Sequence, residues 1–167
     1  MKKLGIVALV LALIASIAGF SETNNGYGAL GALAAEGSSL QQVLTYAIQD
    51  EYLARSEYAG IMDEYGSMRP FSNIMLSEEN HIEWLVELFG EYGFPLPIDD
   101  SEDHVVIPGD LKTAFQTGVK AEIDNIAMYE KFLSEDLSED VRDVFERLKR
   151  ASENHLRAFQ NNLKRYE

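Results

Sequence analysis

The sequence predicts an all-α protein, a bundle of four helices in up-down order with a long crossover between the second and third helices. Four separate segments carry apolar residues at alternating steps of three and four, which is the period of one helix face. Serine, aspartate or proline stands at the start of each segment, as is typical of helix N-termini. Three of the four prolines lie together between the second and third segments, which favours a crossover there.

The overall composition limits the classes of function. With 167 residues and 46% hydrophobic residues, the chain is long enough for one domain with a sizeable core. Its formal net charge of −14 argues against nucleic acids and anionic membrane surfaces as partners. The chain has no cysteine, which excludes disulfides, zinc–cysteine sites and iron–sulfur clusters.

Residues 1–20 have the form of a secretory signal peptide. Lys2 and Lys3 provide a positive start, residues 4–20 carry no charge, and a small-x-small cleavage site ends at Ala18. We therefore expect an exported protein, extracellular or in the cell envelope. A membrane anchor retained through residues 4–20 is the alternative, because the uncharged run is just long enough to span a bilayer.

The helical domain is predicted to cover residues 38–167, after a linker over residues 21–37 that is rich in glycine, alanine and asparagine. Its first helix starts at Ser38 or Ser39, which are good N-cap residues, and ends at Gly66. One carboxylate interrupts the apolar face of this helix. The face consists of Leu40, Leu44, Ala47, Glu51, Ala54, Tyr58, Ile61 and Tyr65.

The second helix, from about Pro70 to about Phe89, carries Glu78 and His81 on its apolar face. Because residues i and i+3 share a helix face, both side chains are expected to point into the core. Glu-x-x-His projecting into a helical bundle is the ligand unit of carboxylate-bridged dimetal proteins. Taken alone, the pair is explained more simply by a buried Glu–His hydrogen bond without metal.

The connection over residues 94–109 is long enough, when extended, to run the length of a helix. It contains an acidic run from Asp99 to Asp103, followed by His104. The run lacks the glycine and the closing glutamate of a calcium-binding hand, so we predict a solvated loop.

The third helix is capped by Asp110 and ends at about Leu133, and the fourth is capped by Ser138 and runs almost to the end of the chain. Polar residues again interrupt both apolar faces. The face of the third helix is Leu111, Phe115, Gly118, Glu122, Asn125 or Ile126, Tyr129 and Leu133. The face of the fourth is Val141, Val144, Leu148, Ser152, His155, Phe159 and Asn162 or Leu163.

The two helix pairs repeat one pattern. Glu-Asn-His occurs at 79–81 and at 153–155, and Tyr58 and Tyr129 each stand two helical turns after a buried glutamate. This repetition predicts a pseudo-twofold bundle. Five metal-capable side chains on four buried faces are hard to explain as core pairing, so we interpret them as metal ligands. These residues are Glu51, Glu78, His81, Glu122 and His155.

Several segments also resemble a known family. Asp50-Glu-Tyr-Leu-Ala-Arg55 with Tyr58, Ser77-Glu-x-x-His81 and Ser152-Glu-Asn-His-Leu-Arg-Ala-Phe159 are similar to motifs of an uncharacterised ferritin-like family, domain of unknown function 2202. The resemblance implies a ferritin-like four-helix bundle and implies no established reaction. Two aspartates of the family's pattern are replaced here by Ser56 and Asn125.

The predicted centre holds one or two ions of iron or manganese, since carboxylate with imidazole suits these metals. Glu78 would bridge, Glu51 with His81 would complete one half-site, and Glu122 with His155 the other. Such a site activates dioxygen or peroxide, or oxidises Fe(II), and is the basis for predicting an oxidoreductase. Tyr58 and Tyr129 would hydrogen-bond the ligands or carry an electron. The alternative for both is simple packing.

Ser152 departs from a complete dimetal ligand set, because a second bridging glutamate would stand at this position. The alternative function is a non-enzymatic exported binding or interaction domain, with a structural metal or an inert buried polar network. The acidic surface would then carry the function. The sequence leaves a homo-oligomer open.

Overall fold

The computed structural model describes residues 26–166, and all regular structure within that range is helical, which confirms the predicted all-α class. Single 3-10 turns lie at Ser101–His104 and Lys164–Tyr166. The predicted signal or anchor over residues 1–20 lies outside the described range. None of the helices that are described has the length and apolar character needed to cross a bilayer. The helices are α1 (Gly28–Ala34), α2 (Leu40–Tyr65), α3 (Phe71–Glu91), α4 (Leu111–Leu133) and α5 (Glu139–Leu163).

Local sequence accounts for the ends of the long helices. Ser39 and Gln42 form a capping box at the start of α2, which satisfies backbone N–H groups that have no partner within the helix. Gly66 follows the helix with φ of 86°, a conformation that side chains disfavour. At the start of α4, the carboxylate of Asp110 accepts a hydrogen bond from the backbone N–H of Thr113 at 2.8 Å.

The four long helices pack as two hairpins, α2 with α3 and α4 with α5, and the hairpins meet through the α2–α4 and α3–α5 pairs. Their apolar side chains form two separate clusters. One cluster includes Leu44, Leu85 and Phe145, and the other includes Ile61 and Phe115. On α3, α4 and α5 the predicted polar residues fall between the parts that contribute to these two clusters, and on α2 Glu51 lies at the edge of the first cluster, next to Tyr52. The core is therefore divided by a buried polar layer.

The crossover over residues 94–110 follows α2 towards its C-terminal end. The Arg55 guanidinium pairs with Asp99, and Ser56 and Ser101 share a hydrogen bond of 2.7 Å between their hydroxyls. Further along, Ile107 lies against Gly60 so closely that a Cβ at position 60 would overlap it. The predicted solvated loop is thus partly packed onto α2, and Ser101 is 1% exposed.

The structure differs from the predicted linker over residues 21–37, because α1 lies within that range and packs across α2 and α4. Asp50 accepts a hydrogen bond from the backbone N–H of Ala29 at 2.7 Å, at the N-terminal end of α1. The Lys131 ammonium donates to the carbonyl oxygens of Ala32 and Ala35 at 2.6 Å each, at the other end. These charges suit the two poles of a helix. Partners distant in the sequence thereby stabilise a segment that looks flexible by composition.

Candidate metal centre

The five residues interpreted as metal ligands all lie in the buried polar layer. Their exposed fractions are 2% for Glu51 and Glu78, 3% for His81, 4% for Glu122 and 9% for His155. Helix α2 provides Glu51, α3 provides Glu78 and His81, α4 provides Glu122 and α5 provides His155. The helical period that places apolar residues on one face has therefore brought all five side chains to the same interior.

Three of these side chains form one group at the α2–α3 interface. Nδ1 of His81 lies 2.6 Å from Oε2 of Glu78 and 3.1 Å from Oε2 of Glu51. The outer ring nitrogen, Nε2, lies 3.1 Å from the hydroxyl of Ser77, one turn earlier on the same helix. Ser77 therefore fixes the plane of the ring and leaves Nδ1 directed at the two carboxylates.

The second group is built the same way around Glu78. Nδ1 of His155 lies 3.3 Å from Oε1 of Glu78 and 3.5 Å from Oε1 of Glu122. In each of the two groups, one ligand atom from every residue lies within 4.8 Å of the others. Glu78 belongs to both groups and directs a different oxygen into each, so the two groups form one continuous centre.

Tyr58 and Tyr129 reach this centre from opposite helices. Tyr129 of α4 donates a hydrogen bond to Oε1 of Glu51 on α2 at 2.6 Å. Tyr58 of α2 donates to Oε1 of Glu122 on α4 at 3.1 Å. Both tyrosines have no exposed surface. The two bonds cross the α2–α4 interface in opposite directions and hold the two carboxylates in place.

Ser152 belongs to a hydrogen-bond network beside the centre that includes residues off the apolar helix faces. Its hydroxyl lies 2.8 Å from Oδ1 of Asn125 and 3.1 Å from the carbonyl oxygen of Leu148. The Nδ2 group of Asn125 donates to Asp50, the carboxylate that also holds the start of α1. Asp50 stands next to Glu51 and off the apolar face of α2. Helical periodicity alone therefore gave no signal for it.

A small cavity of about 10 Å³ lies beside the centre. By that measure it has room for about one water molecule. Six of its nine lining residues are polar or charged, and the other three are Ala54, Tyr58 and Ala121. The polar lining residues are Asp50, Glu51, Glu78, Glu122, Asn125 and Ser152.

The electrostatics of the centre are dominated by burial and by the mutual repulsion of its carboxylates. Burial raises the pKa of Glu51 to about 8, and the charge of Glu78 adds to this effect. Burial alone would also raise the pKa of Glu78, but hydrogen bonds with His155 and His81 lower it to about 2. Burial also raises the pKa of Glu122.

The two histidines respond to the carboxylates around them. Burial would lower the pKa of His81, but Glu51 and Glu78 outweigh it and raise the pKa to about 10. Glu122 and Glu78 likewise outweigh burial at His155 and raise its pKa to about 9. Without metal, protons on the imidazoles therefore supply the positive charge that the carboxylates require.

The donor set fits a transition-metal ion of intermediate softness. Three carboxylates and two imidazole nitrogens suit iron or manganese, and each group offers three ligand atoms from different side chains. Tyrosines donate hydrogen bonds to two of the three carboxylates, Glu51 and Glu122, and Ser77 bonds one histidine, an arrangement that is common around metal ligands in proteins.

Comparisons with known proteins bear on the fold. No protein-family model matches the sequence. The chain is 28% identical over 133 residues to the uncharacterised protein MJ0754 of Methanocaldococcus jannaschii, a match that covers 71% of each chain. It is similar to the crystal structure of the hypothetical protein MJ0754 from Methanococcus jannaschii DSM 2661, with a TM-score of 0.69 and 25% identity. That similarity covers 79% of this chain and 85% of the other. The two proteins share a fold, and the relative is described only as uncharacterised.

Proposed function

We propose that this chain is a ferritin-like four-helix bundle that binds one or two iron or manganese ions in its core. The ligands are Glu51, Glu78, His81, Glu122 and His155. The pairwise packing of α2 to α5, the crossover along α2 and the buried polar layer support this fold assignment.

The orientation of Glu78 is the observation that carries the proposal. Its two oxygens lie 2.6 Å and 3.3 Å from Nδ1 of two different histidines, His81 and His155. A carboxylate shared in this way would contribute to both sites of a two-ion centre, with Glu51 and His81 holding one ion and Glu122 and His155 the other. The buried charge is otherwise costly, and a bound cation compensates it.

The chain's own residues prepare the centre for chemistry. Ser77 orients His81, and the two tyrosines restrain Glu51 and Glu122 by hydrogen bonds. A bound iron or manganese centre of this kind supplies the capacity to activate dioxygen or peroxide, or to oxidise Fe(II) as a substrate. Burial of the ligands keeps bulk water and larger molecules away, which favours a small oxidant as the partner.

We also propose that the protein works after export, outside the cell or in the cell envelope. The proposal rests on the positive start and uncharged run of residues 1–20. The absence of cysteine and the net charge of −14 are compatible with an exported acidic protein that attracts cations.

The single tryptophan of the chain gives a direct test of metal binding. Trp84 lies on α3, with its ring centroid 5.5 Å from that of His81. Titration of the metal-free protein with Fe(II) under nitrogen, or with Mn(II), should quench its fluorescence with saturation at one or two ions. Glu78→Gln should abolish most of the quenching. Glu153→Gln, at a half-buried carboxylate outside the centre, should leave it unchanged.

Elemental analysis of protein purified from its own host identifies the metal. Iron or manganese at one or two ions per chain is expected. Protein that contains no metal, and whose fluorescence does not respond to either ion, would contradict the proposal.

A second candidate function is a non-enzymatic binding domain with an inert polar core. Within residues 26–166, the hydroxyl of Tyr27 is the one fully buried side-chain polar atom without a hydrogen-bond partner. The fully buried side-chain polar atoms of the polar layer thus all have hydrogen-bond partners without a metal, which favours a non-enzymatic binding domain. An oxygen-dependent near-ultraviolet band on addition of Fe(II) would support the oxidase, and a colourless, unresponsive protein would support the binding domain.

A further inference from the structure

The cavity beside the centre extends towards the surface between α2 and α4. Glu78 and Ser152, on α3 and α5, form its inner wall. Its other lining residues come from α2 and α4, and three of these, Asp50, Ala54 and Ala121, are half-buried. The small alanine side chains leave space between the two helices. The half-buried residues therefore mark the side on which the cavity approaches solvent.

Two carboxylates flank this opening on α2. Asp50 lines the cavity directly. Glu57 is half-buried two turns further along the helix, within electrostatic reach of both Asp50 and Glu122. The nearby Lys120 does not offset their charge, because its ammonium pairs with Asp124. Carboxylates therefore line the opening from its mouth to its inner wall.

Helix α1 defines one end of the opening. It lies across α2 and α4, and its first turn is bound to Asp50 of α2 by the hydrogen bond that the backbone N–H of Ala29 donates. The part of the α2–α4 interface beyond Asp50, where Ala54 and Ala121 lie, is the part that borders the cavity. Asp50 and Glu57 are half-buried, whereas Glu51, Glu78 and Glu122 are buried.

We propose that this opening between α2 and α4 is the entry route for the divalent cation, with Asp50 and Glu57 as the carboxylates that attract it and exchange its water ligands. The inference rests on the proposed metal-binding function and adds the path and two residues outside the ligand set. A partly enclosed opening lined by ionised carboxylates concentrates cations and speeds their association. The route ends at Glu51, Glu78 and Glu122, and the two histidines complete the coordination.

The test measures how fast the metal-free, full-length protein takes up Co(II), with Trp84 fluorescence as the stopped-flow signal. Glu57→Gln should lower the association rate by about threefold or more at pH 8 and low ionic strength. At that pH Glu57 is ionised, because burial raises its pKa to only about 7, and the variant loses this attracting charge. Release should slow similarly, and the equilibrium affinity should change less than about twofold, because the ligands are intact. The rate difference between wild type and Glu57→Gln should shrink as salt screens the charges.

The matched control is Glu153→Gln, which removes the same charge from a half-buried site on α5. It should load at the wild-type rate. A second variant, Ala121→Leu, tests the path by steric means. With a helical content equal to that of wild type by circular dichroism, it should load and release Co(II) more slowly. Asp50→Asn is less informative, because it also disturbs the bonds to Ala29 and Asn125.

The outcomes separate this inference from the proposed function. If Glu57→Gln and folded Ala121→Leu both bind Co(II) at the wild-type rate, the proposed entry route is wrong. The proposed metal centre is not affected by that result. Equal slowing by Glu57→Gln and Glu153→Gln also overturns it, since the effect would then come from total charge. Failure of the wild-type protein to bind Co(II), Fe(II) or Mn(II) overturns both proposals.

Discussion

Tyr129 and Glu51 lie on different helices and are joined by a hydrogen bond of 2.6 Å inside the core. Tyr58 and Glu122 make the reciprocal contact at 3.1 Å. Each long helix of the α2–α4 pair thus provides a carboxylate to the centre and a hydroxyl that restrains the carboxylate of the other. Because α2 and α4 belong to different hairpins, these two bonds connect the two halves of the domain at the level of the centre.

Tyr129→Phe should therefore destabilise the domain and loosen the centre. It leaves a buried carboxylate with one hydrogen bond fewer, at a cost of about 1.5–3 kcal/mol in the free energy of unfolding. Urea unfolding of the metal-free protein measures this cost. Tyr58→Phe should cost less, because its bond is longer. Equal stability of wild type and both variants would show that the tyrosines only pack.

The stability of the metal-free protein should decrease from mild acid to alkaline pH. The pKa of Glu51 is raised to about 8, that of His155 to about 9 and that of His81 to about 10. A raised pKa in the folded state contributes stability below the unfolded pKa, and this contribution is lost as the pH rises through the folded value. The lowered pKa of Glu78 acts oppositely and removes stability only as the pH falls from about 4.5 towards 2. The melting temperature should thus be higher at pH 5.5 than at pH 8.5.

Repulsion among surface carboxylates gives a trend of the same sign, so a control is required. Glu51→Gln should flatten the profile more than Glu153→Gln, which lies outside the centre. Bound metal should remove most of the dependence. A profile that is flat or rises towards pH 8.5 in the metal-free wild type would contradict the clustering of charges.

Ser152→Glu should strengthen the weaker of two metal sites. Two divalent ions exceed the charge of Glu51, Glu78 and Glu122 by one, and a fourth carboxylate would neutralise the centre. We expect the second ion to bind on the order of tenfold more tightly, as measured by equilibrium dialysis with Mn(II). Two ions bound equally tightly by wild type, with no gain in the variant, would show that the assignment of position 152 is wrong.

The same substitution should destabilise the metal-free protein. It adds a buried charge and also removes the hydrogen bond between Ser152 and Asn125. Ser152→Ala separates the two effects, because it removes the bond without adding a charge. We expect Ser152→Glu to lower the free energy of unfolding by about 3 kcal/mol, and Ser152→Ala by about 1 kcal/mol.

Export predicts a shortened native chain. If residues 1–20 contain a signal peptide cleaved after about Ala18, mass spectrometry of protein from its own host should find a chain that lacks Met1 to Ala18. Tyr27 and α1 would remain in the mature protein. An intact N-terminus in the membrane fraction would instead support the retained anchor.

The sequence predicted the long helices and the five buried metal-capable residues because both depend on one strong periodic signal. Every such residue stands in line with apolar neighbours on its helix, so burial followed from position. Asp50 is a residue that this periodic signal could not identify. It is off the apolar face of α2, and its role depends on Ala29 and Asn125, whose proximity only the folded chain establishes.

The sequence did not predict helix α1, for a different reason. Seven residues of glycine, alanine and leucine carry too little helical preference to fold alone. The segment is helical because Asp50 and Lys131 bind its two ends and its own Ala29 and Ala32 are buried against the rest of the domain. Such stabilisation by tertiary contacts leaves no local trace in the sequence.

The position of α1 matters for where the chain can be shortened. Tyr27 stacks on His104 in the crossover with ring centroids 4.0 Å apart, while α1 itself is bound by Asp50 and Lys131. Tyr27 and α1 thus contact three regions that are far apart in the sequence, namely α2, the crossover and α4. A truncated protein that starts at residue 38, the domain boundary predicted from composition, would lose these contacts. Recombinant versions that begin before Tyr27 should retain the native crossover, and those that begin after it should be cleaved there by added protease.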